Sequence, residues 1–212
     1  MQGEWTIISL DYQGECEKME TCTVFPGTRY YREVKRLFLS AFPPEERRPL
    51  GNLWLLNVLR PQVALRAYRE GDVFCGFTLT VDSEKYLYLS FIAVSPTLRG
   101  RGCGSEIMKQ LRRDYPDKAL LVEVEAPDEQ ASNCDQREKR IEFYRRCGFV
   151  DLDRTITGRG VTYRILSTDP DFDRDAYRKI FTYLSFGLRA KLRRLLGKPP
   201  CAGCGGETCG KE

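Results

Sequence analysis

A mixed α/β sheet is the fold class that three observations predict. The spacing of apolar residues switches between the helical period of 3.6 and the strand period of two, giving the order α-α-β-β-β-α-β-α-β-β. Tight-turn residues join three of the strands into a meander. A helical stretch stands between that meander and the next apolar run, so those two strands run parallel. A chain of 212 residues, 42% hydrophobic and 30% charged, is one domain of ordinary size with an appendage.

Taken in order, residues 5–10 and 22–25 each read as a short strand. Thr28 is an N-cap for a helix over 29–42, because Tyr30, Val34, Leu37, Phe38 and Ala41 fall on one stripe. Pro43-Pro44 ends it, Glu45-Glu46-Arg47-Arg48 makes a charged turn, and 52–59 is a second short helix. Strands at 63–68 and 73–81 flank Glu70-Gly71-Asp72, a hairpin turn, and a second turn at Asp82-Ser83-Glu84 leads into an apolar strand over 86–94. From Gly104 a helix places Ile107, Met108, Leu111 and Tyr115 on one face, and a strand over 119–125 follows. After a polar loop at 128–135 comes a helix over 137–147, with Ile141, Phe143, Tyr144 and Cys147 inward and Gly148 as its left-handed stop. Strands at 152–157 and 161–166, joined by Gly158-Arg159-Gly160, complete a domain over 1–168. Residues 169–212 form a C-terminal extension. Its basic amphipathic helix over 177–196 rests on the domain through Ile180, Tyr183, Leu184 and Leu188, and its Cys/Gly-rich tail is expected to be mobile.

Composition removes several kinds of chemistry. With no histidine, Ser-His-Asp and Cys-His nucleophiles and histidine-ligated zinc are excluded, so proton transfer falls to carboxylates, tyrosine, cysteine, lysine or water. Nine cysteines, an odd number scattered through regular structure, point to a reducing cytoplasm and not to a disulfide framework. No secretory signal or membrane span is read, and a net charge of +4 is too small to imply nucleic acid. The spacing Cys201-x-x-Cys204-x4-Cys209 supplies three thiolates where a structural zinc needs four ligands, so no metal is expected.

The chain is organised around residues 90–104, SFIAVSPTLRGRGCG. A strand, a proline stop, a turn with alternate glycines and a helix start aim free N–H groups and the positive end of a helix dipole at one spot, a cradle for phosphate. Arg99 and Arg101 add cationic donors. The spacing is neither the dinucleotide fingerprint nor a P-loop. Arg99-x-x-Gly102-x-Gly104 after an apolar strand resembles the acetyl-CoA-binding motif of the GNAT superfamily of N-acetyltransferases. Phe143-Tyr144-x-x-x-Gly148-Phe149 resembles a second motif of that family, and the likeness covers about residues 28–168.

The resemblance implies a GNAT-like acyl-CoA N-acyltransferase fold with acetyl-CoA as cosubstrate and an amine, free or on a peptide, as acceptor. Backbone groups of Ile92, Ala93 and Val94 would pair with the pantetheine arm. Arg99, Gly100, Arg101, Gly102, Cys103, Gly104 and Ser105 would hold the pyrophosphate. Tyr144 would protonate the departing thiolate, which suits a phenol of pKa about 10. Where many members carry an arm-binding asparagine, this chain has Arg137. Either Asn133 substitutes for it, or Arg137 faces a CoA phosphate. Glu123, on the same strand face as Glu125, and Glu46, in the charged turn, are the candidates for the base that deprotonates the amine. Transfer would be direct, because no activated nucleophile is visible. A second reading is an inactive acyl-CoA-binding adaptor whose basic C-terminal helix engages a partner. Assembly as a homodimer is left open by the sequence.

Overall fold

The computed structural model describes residues 19–44, 47–131, 133–158 and 160–184. The elements are β1 (Glu20–Thr23), α1 (Arg29–Ala41), α2 (Leu50–Leu59), β2 (Val63–Glu70), β3 (Val73–Asp82), β4 (Tyr86–Val94), α3 (Cys103–Asp114), β5 (Ala119–Glu125), α4 (Cys134–Arg146), β6 (Val150–Gly158), β7 (Val161–Ser167) and α5 (Arg174–Leu184). The strands form one sheet in the order β1-β2-β3-β4-β5-β7-β6. Among the described residues only β4 and β5 pair in parallel, which is the consequence of the α3 crossover between them.

Each face of the sheet carries its own core. Val34 and Phe38 of α1, Leu53 and Leu56 of α2, and Ile180 and Leu184 of α5 pack with Leu65, Phe77, Tyr86, Leu121 and Ile165 on one face. Ile107, Met108 and Leu111 of α3 and Ile141 and Tyr144 of α4 pack with Leu87, Leu89, Val122 and Leu166 on the other. Burying apolar stripes on both sides of a twisted sheet is the main source of stability here.

Local signals set most boundaries. The Thr28 hydroxyl accepts the Tyr31 N–H at 3.3 Å and starts α1 as a side-chain cap. Gly71 takes φ +56° in the β2–β3 hairpin. At the end of α4, Gly148 N–H donates to Arg145 O at 2.8 Å and Phe149 N–H to Tyr144 O at 3.0 Å. With Gly148 at φ +81°, this is a Schellman stop, and it fixes the backbone of Tyr144 itself.

Several expectations shift. The first described strand is Glu20–Thr23, two residues earlier than expected, because pairing with β2 and not apolarity defines it. α2 begins at Leu50, directly after Pro49. Phe143 and Cys147 are half-buried, leaving Ile141 and Tyr144 as the buried residues of α4. α5 starts at Arg174 and not at Tyr177, since the Asp173 carboxylate accepts the N–H groups of Asp175 and Ala176 at 2.9 and 3.0 Å. The strand expected at 5–10, the helix beyond Leu184 and the cysteine tail lie outside the described residues.

Candidate active site

The site begins where two parallel strands part. β4 and β5 pair at Tyr86↔Ala119, Leu87↔Leu120 and Tyr88↔Leu121, and no further, although β4 runs on to Val94 and β5 to Glu125. The β3–β4 register slips between Leu79 and Thr80, which makes Ser90 an extra residue in β4. A bulge at that point bends the strand. Past it, Ile92, Ala93 and Val94 pair with Thr78, Phe77 and Gly76 of β3 on one edge, and their other edge is not paired with β5, which opens a slot between the strands.

At the mouth of the slot lies the glycine turn. Pro96–Leu98 form a single 3-10 turn, and Gly100 and Gly102 take φ +75° and +78°, a region that favours glycine. Glu106 N–H donates to Gly102 O at 3.0 Å, so the N–H groups of Gly104 and Ser105 stand in the first turn of α3, ahead of that bond. A Cβ on Gly102 would meet nothing within 4 Å, so the turn opens onto clear space. Arg101 is exposed and Arg99 half-buried, which lowers the pKa of the Arg99 guanidinium without discharging it. Cys103 is buried and belongs to the core under the turn.

Gly104 joins this turn to α4. A Cβ there would lie 3.2 Å from the Phe143 ring, a tight contact, so glycine lets the start of α3 approach the helix that carries Tyr144. Tyr144 is buried, its ring 5.2 Å from the rings of Phe143 and Phe149. Burial pushes its hydroxyl pKa up to about 12, so it holds its proton throughout the neutral range.

The two carboxylates of β5 have opposite surroundings. Glu125 is held at 3.4 Å by both Arg137 and Arg140 of α4. Glu123 instead accepts the Tyr177 hydroxyl at 2.7 Å, and the Tyr88 hydroxyl faces it as well. Burial raises the Glu123 pKa, while the two phenols oppose that rise. Burial first, and then the fields of Glu123 and Tyr177, keep the Tyr88 hydroxyl protonated.

Comparisons with known proteins bear on the fold that carries these residues. Residues 61–151, which run from the start of the meander into β6, match the family model for the acetyltransferase (GNAT) domain. Over those residues the chain is similar to the acetyltransferase (GNAT) domain. The YjbC protein of Bacillus subtilis (strain 168), named a putative acetyltransferase, is 26% identical over 105 residues, 50% of each chain. The chain therefore spans about half the length of that relative. Among solved structures, a GNAT-family protein from Bacteroides thetaiotaomicron, also named a putative acetyltransferase, superposes with TM-score 0.61 at 22% identity, over 86% of this chain and 99% of its own. An aminoglycoside 6'-N-acetyltransferase complexed with coenzyme A superposes with TM-score 0.54 at 14% identity, over 73% and 99%. The expected mixed α/β fold is thereby established.

The remaining candidates fall into place unevenly. Arg137 and Asn133, read as alternatives for the cosubstrate, bind each other: Arg137 Nε donates to Asn133 Oδ1 at 2.9 Å. Arg137 Nη1 also donates to Ala126 O at 3.0 Å and Nη2 pairs with Glu125, so all three nitrogens are engaged and tie β5 to α4. Glu46 lies outside the described residues. Among the described residues no group of three or more metal-ligating side chains forms, and no helix is long and apolar enough to cross a membrane. Tyr88 and Tyr177 escape sequence reasoning as site residues. The available signal was Tyr177 on the same apolar stripe as Ile180 and Leu184, since a buried phenol needs a polar partner.

Proposed function

We propose that the chain is an acetyl-CoA-dependent N-acetyltransferase that moves an acetyl group directly to a primary amine. The observation that carries this reading is the end of β4–β5 pairing after Tyr88 and Leu121, with the glycine turn and the start of α3 following β4, a protonated phenol on α4, and a β5 carboxylate that has no cationic partner among the described residues. The residues present fit the cosubstrate. N–H groups of Cys103, Gly104 and Ser105, with Arg99 and Arg101, suit a pyrophosphate. The free edge of Ile92, Ala93 and Val94 suits an amide-bearing arm laid along it as an added strand. The bound thioester supplies the acetyl group and its leaving sulfur.

In this reading Glu123 accepts the proton of the incoming ammonium and frees its lone pair for attack on the thioester carbonyl. The C–N bond forms, the C–S bond breaks, and Tyr144 gives its proton to the sulfur. Neutral phenols around Glu123 support its ionised form without adding a positive charge that would repel the ammonium. Glu125, neutralised by Arg137 and Arg140, is unsuited to the same task. A cationic amine is therefore the favoured acceptor class.

The test is calorimetry with CoA and acetyl-CoA, together with thiol release over a panel holding a polyamine, an aminoglycoside, a lysine peptide and a free peptide N-terminus. Micromolar CoA binding with turnover of at least one amine supports the reading, and well-folded chain that gives no heat with either ligand ends it. Tyr144→Phe separates the enzyme from an inactive adaptor. The variant should bind CoA as the wild type does while kcat falls about 10²-fold. Gly102→Val should weaken CoA binding at least about tenfold, because its side chain would fill the clear space before α3 and strain a positive φ. Equal affinities for Gly102→Val and wild type would remove the turn from the binding site.

A further inference from the structure

Tyr177 reaches the centre of the sheet from a helix that follows the last strand, 54 residues beyond its partner Glu123. Its ring is fixed on two sides, 5.4 Å from Phe172 and 5.2 Å from Phe181. The start of α5 is tied to β4: Asp173 N–H donates to the Tyr86 hydroxyl at 2.7 Å, which in turn donates to Asp171 O at 3.2 Å. Its end is held by Arg48 Nη1, which donates to Leu184 O at 2.7 Å. The phenol therefore has one direction available, and Glu123 Oε1 lies along it at 2.7 Å.

We propose that Tyr177 is a positioning residue for acetyl transfer, orienting the Glu123 carboxylate toward the acceptor amine and making the docking of α5 a condition of turnover. This rests on Glu123 as the base. Packing alone does not account for the contact. α5 already buries Ala176, Ile180 and Leu184, and anchoring a helix on apolar strands does not need a carboxylate taken out of water. Two neutral donors favour the ionised carboxylate against the effect of its burial and add no positive charge, so that form can attract a cation and take its proton. The groups facing Glu123 are Tyr88 from β4 and Tyr177 from α5. Opposite it on β7 is the apolar Ile165, whose neighbour Arg164 is engaged by Asp151, and Glu125 on its own strand is paired to α4.

The experiment measures turnover of the full chain against pH with acetyl-CoA and the best amine of the panel, for wild type, Tyr177→Phe and Glu123→Gln. Activity requires ionised Glu123, so it rises with pH through the Glu123 pKa. The Tyr177 hydrogen bond lowers that pKa, and removing it moves the acid limb to higher pH. Tyr177→Phe, which keeps the ring, is expected to lower kcat about tenfold, with KM for acetyl-CoA and CoA affinity unchanged. A Tyr177→Phe profile superimposable on wild type, or a loss confined to CoA affinity, overturns the proposal. Should that variant not fold, 3-fluorotyrosine at 177 decides. A more acidic phenol strengthens the bond, so the limb must move to lower pH, and no movement overturns the proposal. If Glu123→Gln retains wild-type turnover, the base assignment itself falls. If Glu123→Gln is inactive while Tyr177→Phe is unaltered, only the role of Tyr177 falls.

Discussion

Replacing Glu123 by glutamine is expected to lower kcat by about 10²- to 10³-fold while CoA affinity stays within about twofold. The substitution keeps the shape of the side chain and an oxygen to accept the Tyr177 hydroxyl, so the slot and the docking of α5 should be undisturbed. What it removes is the ability to take a proton. Stability should respond in the opposite sense. Burial raises the Glu123 pKa, so the folded chain binds that proton more tightly than the unfolded one. Its contribution to stability is therefore fully present below the unfolded carboxylate pKa and is lost as pH rises through the folded one. The ionised form of the wild type is a partly desolvated charge that the glutamine variant lacks. Thermal melts at neutral pH should place Glu123→Gln at or above the wild-type Tm, alongside the fall in turnover. A variant that melts several degrees lower and loses activity only in proportion to unfolding would mark Glu123 as structural. Glu46→Gln, run beside it, reports on the other carboxylate candidate.

Much of this arrangement is legible in the sequence because short-range chemistry specifies it. Glu70-Gly71-Asp72 marks a hairpin whose Gly71 takes a positive φ, and Gly148 ends α4 for the same reason. The glycines between Arg99 and Ser105 announce the turn before α3, since residues with a Cβ rarely adopt the positive φ found at Gly100 and Gly102. Long-range facts are not written that way. Nothing local tells β4 and β5 to stop pairing after Tyr88 and Leu121, because the bulge at Ser90 and the continuing twist decide it. Arg137 occupies the position of an expected cosubstrate ligand, yet Glu125 and Ala126 O, more than ten residues away, engage its guanidinium instead. Tyr177 reads as one more apolar-stripe residue until the sheet brings Glu123 beneath it. The fold thus follows from periods and turns, while the choice between Glu123 and Glu125 depends on which of them the tertiary structure pairs with arginine.

Gly76→Ala is expected to destabilise the chain by about 3 kcal/mol and to lower its Tm by roughly 10 °C. Gly76 lies in β3 opposite Val94, and a Cβ there would sit 2.3 Å from Ala93 O, with Ala93 C and Val94 Cα at 3.2 Å. All three are backbone atoms, so no side chain can turn aside and β4 itself must move. The segment that would move is the one that supplies the free edge at Ile92, Ala93 and Val94. It also leads into the glycine turn, which Ser95 N–H fixes to Cys75 O at 2.8 Å. Destabilisation should therefore be accompanied by weaker CoA binding, at least about tenfold, measured well below the lowered Tm where the variant is still folded. Gly51→Ala in α2 is the matched control: it adds the same methyl group where nothing lies within 4 Å, and should leave Tm unchanged or raise it by about 2 °C. If Gly76→Ala melted within about 2 °C of wild type and bound CoA normally, β3 and β4 could not be as close as their pairing requires, and the slot beside β4 would lose the wall that shapes it.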